Sequence, residues 1–127
     1  MIVVDASAAV SGLLGAGPAR RALATETLHA PHLVDAEVAN ALRRGTAAGR
    51  LGAGAAWAAV DTWRRLGMTR HPVFPLLDRV WELRDGLSAY DATYVALAEA
   101  LSCPLLTADG RLSRAPGVRC AFTVVPR

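Results

Sequence analysis

Apolar positions in this chain fall into short continuous runs and longer amphipathic stretches that alternate, with Gly and Pro between them. Ile2-Val3-Val4 is a continuous β-branched run, which predicts a strand buried on both faces. Asp5 follows at once, and Ala6 to Leu14 has helical composition until Gly15 and Gly17 break it. Pro18 opens a second helix to about Ala24, in the first turn where a missing N–H is no loss. Leu28-His29-Ala30 predicts a short strand ended by Pro31. A strong helix is expected from Val34 to Ala48, closed by Gly49, and another from Gly52 to Leu66, closed by Gly67. Met68 to Val73 reads as a short strand bounded by Pro72 and Pro75, and Leu76 to Asp85 as a helix stopped by Gly86. Ser88 to Leu101 is the clearest helix of all. Cys103 to Thr107 predicts another buried strand, Asp109 to Ser113 a helical turn, and Arg119 to Val124 a last strand at a sheet edge. Such alternation predicts an α/β fold, a three-layer α/β/α sandwich on a mostly parallel sheet, with one domain over residues 1–127.

Composition narrows the class. Hydrophobic residues make up 53% of the 127, enough for a core and too many for a disordered chain. No apolar run approaches the roughly 18 residues of a membrane span, and no basic segment precedes the first strand, so a cytoplasmic protein without a membrane anchor is expected. Cys103 and Cys120 have no zinc-type spacing and read as small buried hydrophobes. His29, His32 and His71 lack an HExxH arrangement, and Gly12, Gly15 and Gly17 follow a helix rather than open one, which excludes a phosphate-binding loop. Trp57, Trp63 and Trp81 are widely spaced on helices, as core or interface anchors would be. No Ser–His or Cys–His pairing suggests a protein nucleophile.

The acids carry the chemical signal. In α/β sheets the functional site lies beyond the carboxyl ends of the strands. Asp5 directly follows the first strand, and Asp109 follows Thr107 at the end of another. Asp91 shares a helix face with Tyr94, Val95, Ala98 and Leu101, where an ionised carboxylate needs compensation. Glu37 flanks the stripe Val34, Val38, Ala41 and Leu42, on a shoulder with Asn40 and Arg44. Each acid also has a plain structural reading. Asp5 and Asp109 can cap the turns they precede, Ser88 to Asp91 resembles a capping box, and Glu37 suits a first helical turn. Together, however, all four fall at one sheet edge. Gathered carboxylates repel one another unless a cation neutralises them, and Mg²⁺ or Mn²⁺ takes oxygen ligands of this kind. All fourteen basic residues are arginines, so an acid site of four would leave fourteen cations against seven anions elsewhere. A basic body around an acidic pocket suits a polyanionic substrate held through metal ions.

These residues resemble the PIN-domain family. Val3-Val4-Asp5-Ala6-Ser7-Ala8 is similar to its first motif, and Pro31-His32-Leu33 with Glu37 and Asn40-Ala41-Leu42 to its second. Tyr90-Asp91-Ala92-Thr93-Tyr94-Val95-Ala96-Leu97-Ala98 resembles the third, and Leu106-Thr107-Ala108-Asp109-Gly110-Arg111-Leu112 the fourth. The four occur in order across nearly the whole chain, and the length is most similar to VapC toxins of type II toxin–antitoxin pairs. That resemblance implies a Mg²⁺-dependent endoribonuclease, usually a homodimer, acting on RNA and neutralised by a VapB-type antitoxin. It implies metal binding by Asp5, Asp91 and Asp109, an acidic site completed by Glu37, and supporting polar roles for Ser7, Asn40 and Thr107. Two alternatives stand beside it. An acidic-site Mg²⁺ phosphatase would want a second Asp where Ser7 stands, and a receiver domain would want a lysine, of which the chain has none. A non-catalytic PIN-like module that binds RNA or a partner would have less use for a complete set of acids.

Overall fold

The computed structural model describes all residues from Met1 to Arg127. Five strands, β1 (Ile2–Val4), β2 (Leu28–Pro31), β3 (Thr69–His71), β4 (Leu105–Thr107) and β5 (Phe122–Val124), form one sheet. Their order is β3-β2-β1-β4-β5, and every neighbouring pair is parallel. Six α-helices connect them: α1 (Ala6–Leu14), α2 (Pro18–Thr25), α3 (Leu33–Ala47), α4 (Ala53–Arg65), α5 (Leu77–Glu82) and α6 (Ala89–Leu101). Every residue of β1 and β4 is buried, as the continuous apolar runs require when helices cover both faces of a sheet. Helices α1 to α4 pack chiefly on one another, and α5 packs on α6, which lies against β1, β2 and β4. The α/β/α sandwich expected from the pattern is therefore present, with its sheet wholly parallel. Its core is one cluster of 28 buried residues. No helix is long and apolar enough to cross a membrane.

The departures from expectation have local causes. Pro31 does not stop β2 but is its last residue, opposite His71. A proline there forfeits only one donor, and the next residue restores the ladder, with His32 N donating to His71 O at 2.9 Å. The helix expected from Leu76 begins instead as a 3₁₀ turn over Phe74–Leu76, and α5 ends at Glu82. Beyond it Leu83 N is shared between the carbonyls of Arg79 and Val80, so the chain unwinds in turns before Gly86. Strands β3, β4 and β5 are each shorter than expected. Pro104, which has no N–H, precedes β4, yet its carbonyl still accepts from Val3 N at 3.0 Å. The tryptophans split: Trp63 is in the core, while Trp57 and Trp81 stand in solvent beneath the guanidinium groups of Arg64 and Arg84.

The chain runs from β1 through β2 to β3 on one side of the sheet and places β4 and β5 on the other. The reversal of order therefore lies between β1 and β4, and the crevice beyond their carboxyl ends is the topological switch point. Asp5 leaves β1 there and Asp109 follows β4, with Asp5 N still bonded to Leu106 O at 3.1 Å.

Candidate functional site

Asp5 is almost fully buried. Its Oδ1 accepts from Ser7 Oγ at 2.7 Å and from Ala8 N at 2.9 Å, and its Oδ2 accepts from Thr107 Oγ1. The bond to Ala8 makes Asp5 the N-cap of α1, so the capping reading holds. Ser7 Oγ in turn accepts from Ala108 N at 2.9 Å, and Thr107 Oγ1 from Asp109 N at 3.0 Å. These bonds sew the start of α1 to the end of β4 across the switch point. Ser7 and Thr107 thus orient Asp5 directly.

Asp91 stands in the first turn of α6, whose N-cap Ser88 accepts from Asp91 N at 3.1 Å. Only half of a capping box forms. The serine caps the helix and its hydroxyl also favours the charged Asp91 carboxylate, while no arginine pairs with that acid. The apolar face inferred for this helix widens in the structure: Ala92 to Ala98 are all buried, so α6 is enclosed nearly all round. Asp91 is half-buried because it sits at the helix mouth. Glu37, in the second turn of α3, accepts from Tyr94 Oη through Oε1 at 2.5 Å. Tyr94 had no predicted role beyond the core; its place three residues after Asp91 was the signal that its hydroxyl reaches the same mouth. Asn40 lies one turn beyond Glu37 but is exposed, with its Oδ1 held by Arg43 Nε at 2.9 Å. Asp109 caps the 3₁₀ turn Gly110–Arg114 through Arg111 N. Both of its oxygens also lie in the fork of the Arg111 guanidinium, with Nη2 at 2.6 Å from Oδ2 and Nε at 3.0 Å from Oδ1. Arg111 is a second residue whose place in the site the sequence did not single out.

The four acids feel one another. Burial pushes the Asp5 carboxyl above the ordinary range, against its three hydrogen bonds, and the charge of Asp91 pushes it further. Glu37 is raised chiefly by burial, with the Tyr94 bond opposing and Asp91 and Asp5 adding repulsion. Burial raises Asp91 as well, and Asp109 repels it. Asp109 alone is held low, by the Arg111 fork. This web of repulsions is what convergence at one sheet edge predicts.

The donor set is all carboxylate oxygen, the chemistry of a hard divalent cation. As the side chains are arranged, no three acidic, histidine or cysteine groups share a common ligating point. Two of the acids have partners of their own: Asp5 is bonded to two hydroxyls and a backbone amide, and Asp109 to Arg111. A carboxylate has about four acceptor positions, so Asp5 retains room for an ion, whereas Asp109 must exchange a partner. A cavity of ≈ 690 Å³ lies beside the acids rather than around them, between α1, the start of α2, α3 and the C-terminal residues. Ser7, Glu37 and Asn40 form its border with the site, and Arg44 and Arg127 supply its cations.

Comparison with known proteins identifies the family and the fold. The PIN domain family model matches residues 2–118. Ribonuclease VapC9 of Mycobacterium tuberculosis is 59% identical over 127 residues, covering 100% of both chains. Among solved structures, Mycobacterium tuberculosis VapC20, a toxin that cleaves the sarcin–ricin loop, superimposes with a TM-score of 0.69 at 25% identity, covering 100% of both chains. VapBC2 from Rickettsia felis, solved bound to a DNA fragment from its promoter, shares the fold with a TM-score of 0.68 at 14% identity, over 98% of this chain and 99% of that one. This chain belongs to the PIN-domain family, among its VapC ribonucleases.

Proposed function

We propose that this protein is a divalent-metal-dependent endoribonuclease and the toxin of a toxin–antitoxin pair. The observation that carries the reading is the convergence of Asp5, Glu37, Asp91 and Asp109 on the switch point between β1 and β4, where each raised acid is repelled by another of the four. Asp5, Asp91 and Asp109 would hold Mg²⁺ or Mn²⁺. When bound, the ion supplies positive charge to the phosphate in the transition state and acidifies the attacking water, so that the phosphorus–oxygen bond of the RNA backbone is cleaved by hydrolysis. The protein does the rest. Ser7 and Thr107 fix the Asp5 carboxylate, and Tyr94 fixes Glu37, which completes the acidic site. Asn40 and Arg44 extend a polar wall from Glu37 into the neighbouring cavity. Arg44, Arg111 and Arg127, at or beside the site, add groups suited to phosphate.

The partner side of the proposal is a small VapB-type antitoxin, a homodimeric toxin and a cytoplasmic site of action, where RNA is accessible. Phe74 in the 3₁₀ turn and Leu77 and Trp81 on α5 stand exposed, apolar surface of the kind that an interface covers. The test is expression of the wild type and of the Asp5→Asn/Asp91→Asn double variant in a host lacking the partner. The wild type is expected to slow growth, a co-encoded small protein to relieve it, and the double variant to be harmless. Equal toxicity of the two would refute a nuclease toxin acting through these acids.

A further inference from the structure

Three arginines in this molecule fork a carboxylate, and they differ in one respect. Arg70 grips Asp35, which also accepts from Trp63 Nε1 at 2.8 Å, and so ties α3, α4 and β3 together. Arg79 grips Glu99 and also donates to Gly117 O at 2.6 Å, while Glu99 accepts from Arg119 N at 2.7 Å. Both arginines are largely covered, and both belong to networks that hold the fold. Arg111 has no partner but Asp109, and its side chain is 77% exposed. An ion pair of that kind, on a flexible arm in water, is held weakly. It nevertheless occupies both oxygens of one of the acids at the switch point, and the Arg111 charge also reaches Asp91, an acid with no ion-pair partner of its own. The guanidinium is therefore bonded to one acid and near enough to another to act on its charge.

Resting on the reading of the site given above, we propose that Arg111 is an exchangeable occupant of the metal position. A divalent cation binding at Asp109 and Asp91 displaces its guanidinium, and the freed fork then grips a phosphate of the RNA. The geometry supports each half. With the guanidinium held on both Asp109 oxygens, a cation approaching Asp109 meets a like charge and finds the acceptor positions taken by the fork and the Arg111 N–H. Once displaced, Arg111 remains tethered by the 3₁₀ turn that Asp109 caps, so its fork stays at the rim of the site. A guanidinium fork fits phosphate as well as carboxylate, and a nuclease must bring a phosphate to that place. The residue thus positions substrate only after metal has been loaded, which orders the two binding events.

The exchange predicts opposite effects on the two ligands. In Mn²⁺ titrations followed by isothermal calorimetry and by the thermal unfolding midpoint, Arg111→Ala and Arg111→Lys should both bind Mn²⁺ about threefold to fivefold more tightly than wild type, the scale of an exposed ion pair. The lysine variant is decisive, because it keeps the charge and loses the fork. Arg127→Ala removes another cation near Asp109 that makes no hydrogen bond to it, and should change Mn²⁺ affinity less than Arg111→Lys does. In cleavage of a single-stranded oligoribonucleotide at saturating Mn²⁺, Arg111→Ala should raise KM about tenfold with kcat changed far less. An Arg111→Lys variant that binds Mn²⁺ no more tightly than wild type overturns the displacement. An unchanged KM in Arg111→Ala overturns the phosphate role. Failure of the wild type itself to bind Mn²⁺ would overturn the metal site and this inference with it, and is told apart by the wild-type titration alone.

Discussion

Asp5 is both the cap of α1 and a member of the acid cluster, and the same hydrogen bonds make it both. Three donors lower the cost of keeping a buried carboxylate ionised, while burial and the Asp91 charge raise it. Glu37 is raised by burial and by the Asp91 and Asp5 charges, and Asp91 by burial and the Asp109 charge. Such groups bind protons more readily in the folded protein than in the unfolded chain. The stability they contribute is complete below the ordinary carboxylate range and is lost as pH rises through their raised values. Asp109, held low by Arg111, behaves in the opposite sense and keeps its charge to more acid pH. A divalent ion competes with the protons on Asp5 and Asp91, so its stabilising effect should grow as those groups ionise. The Mn²⁺-induced rise in Tm is therefore expected to be small in acid and to increase toward neutral pH. Melting curves with and without millimolar Mn²⁺ across that range check this. A metal-induced shift of constant size from acid to neutral pH would contradict the role given to the raised carboxylates.

Helices α1 and α2 meet at Gly12, and their contact forms one wall of the cavity beside the acids. A Cβ at Gly12 would lie 2.5 Å from Leu23 Cδ1 and 3.2 Å from the Ala19 carbonyl oxygen. The leucine tip can turn aside, but the Ala19 backbone cannot. Gly12→Ala is accordingly expected to destabilise the protein by about 1–3 kcal/mol, as overpacking does, measured by urea denaturation. A neutral or stabilising result would mean that α2 shifts freely, and the wall of the cavity with it. The same elements show what was legible beforehand. The β-branched run at Ile2–Val4 and the long periodic helices declared themselves, because burial on two faces or on one stripe leaves a mark at fixed spacing. Asp5, Asp91 and Asp109 were legible as site candidates through their place after strands or at a helix start, and the structure brings them to one edge. Their roles as ligands rest on chemistry rather than on spacing. The 3₁₀ start of α5 was not legible, since Pro75 permits either form of first turn. Nor were the bonds from Tyr94 to Glu37 and from Arg111 to Asp109. The first joins residues 57 positions apart, and the second depends on which way an exposed arm folds. Asn40 marks the other limit: its shoulder position was correctly inferred, yet Arg43 on the same helix claims its amide oxygen.

Taken whole, the molecule carries fourteen arginines, of which Arg44, Arg111 and Arg127 lie at or beside a site that draws on four of its eleven acids. Neither feature alone indicates a nuclease. A +3 net charge is ordinary, and each acid can be read as a cap. The combination is what a hydrolase for a polyanion needs: long-range attraction of the backbone by cations, and a local acidic site that only a metal ion makes compatible with phosphate. Asp91 tests this combination most cleanly. It is repelled by Asp109, no arginine pairs with it, and replacing its carboxylate leaves the Ser88 cap on its backbone N–H in place. The decisive measurement is the rate of RNA cleavage by Asp91→Asn against wild type at saturating Mg²⁺, with circular dichroism confirming that both are folded. The account predicts that the folded variant loses activity by at least about a hundredfold, the scale on which loss of a metal-positioning carboxylate acts. A folded Asp91→Asn protein that cuts RNA at the wild-type rate would contradict it.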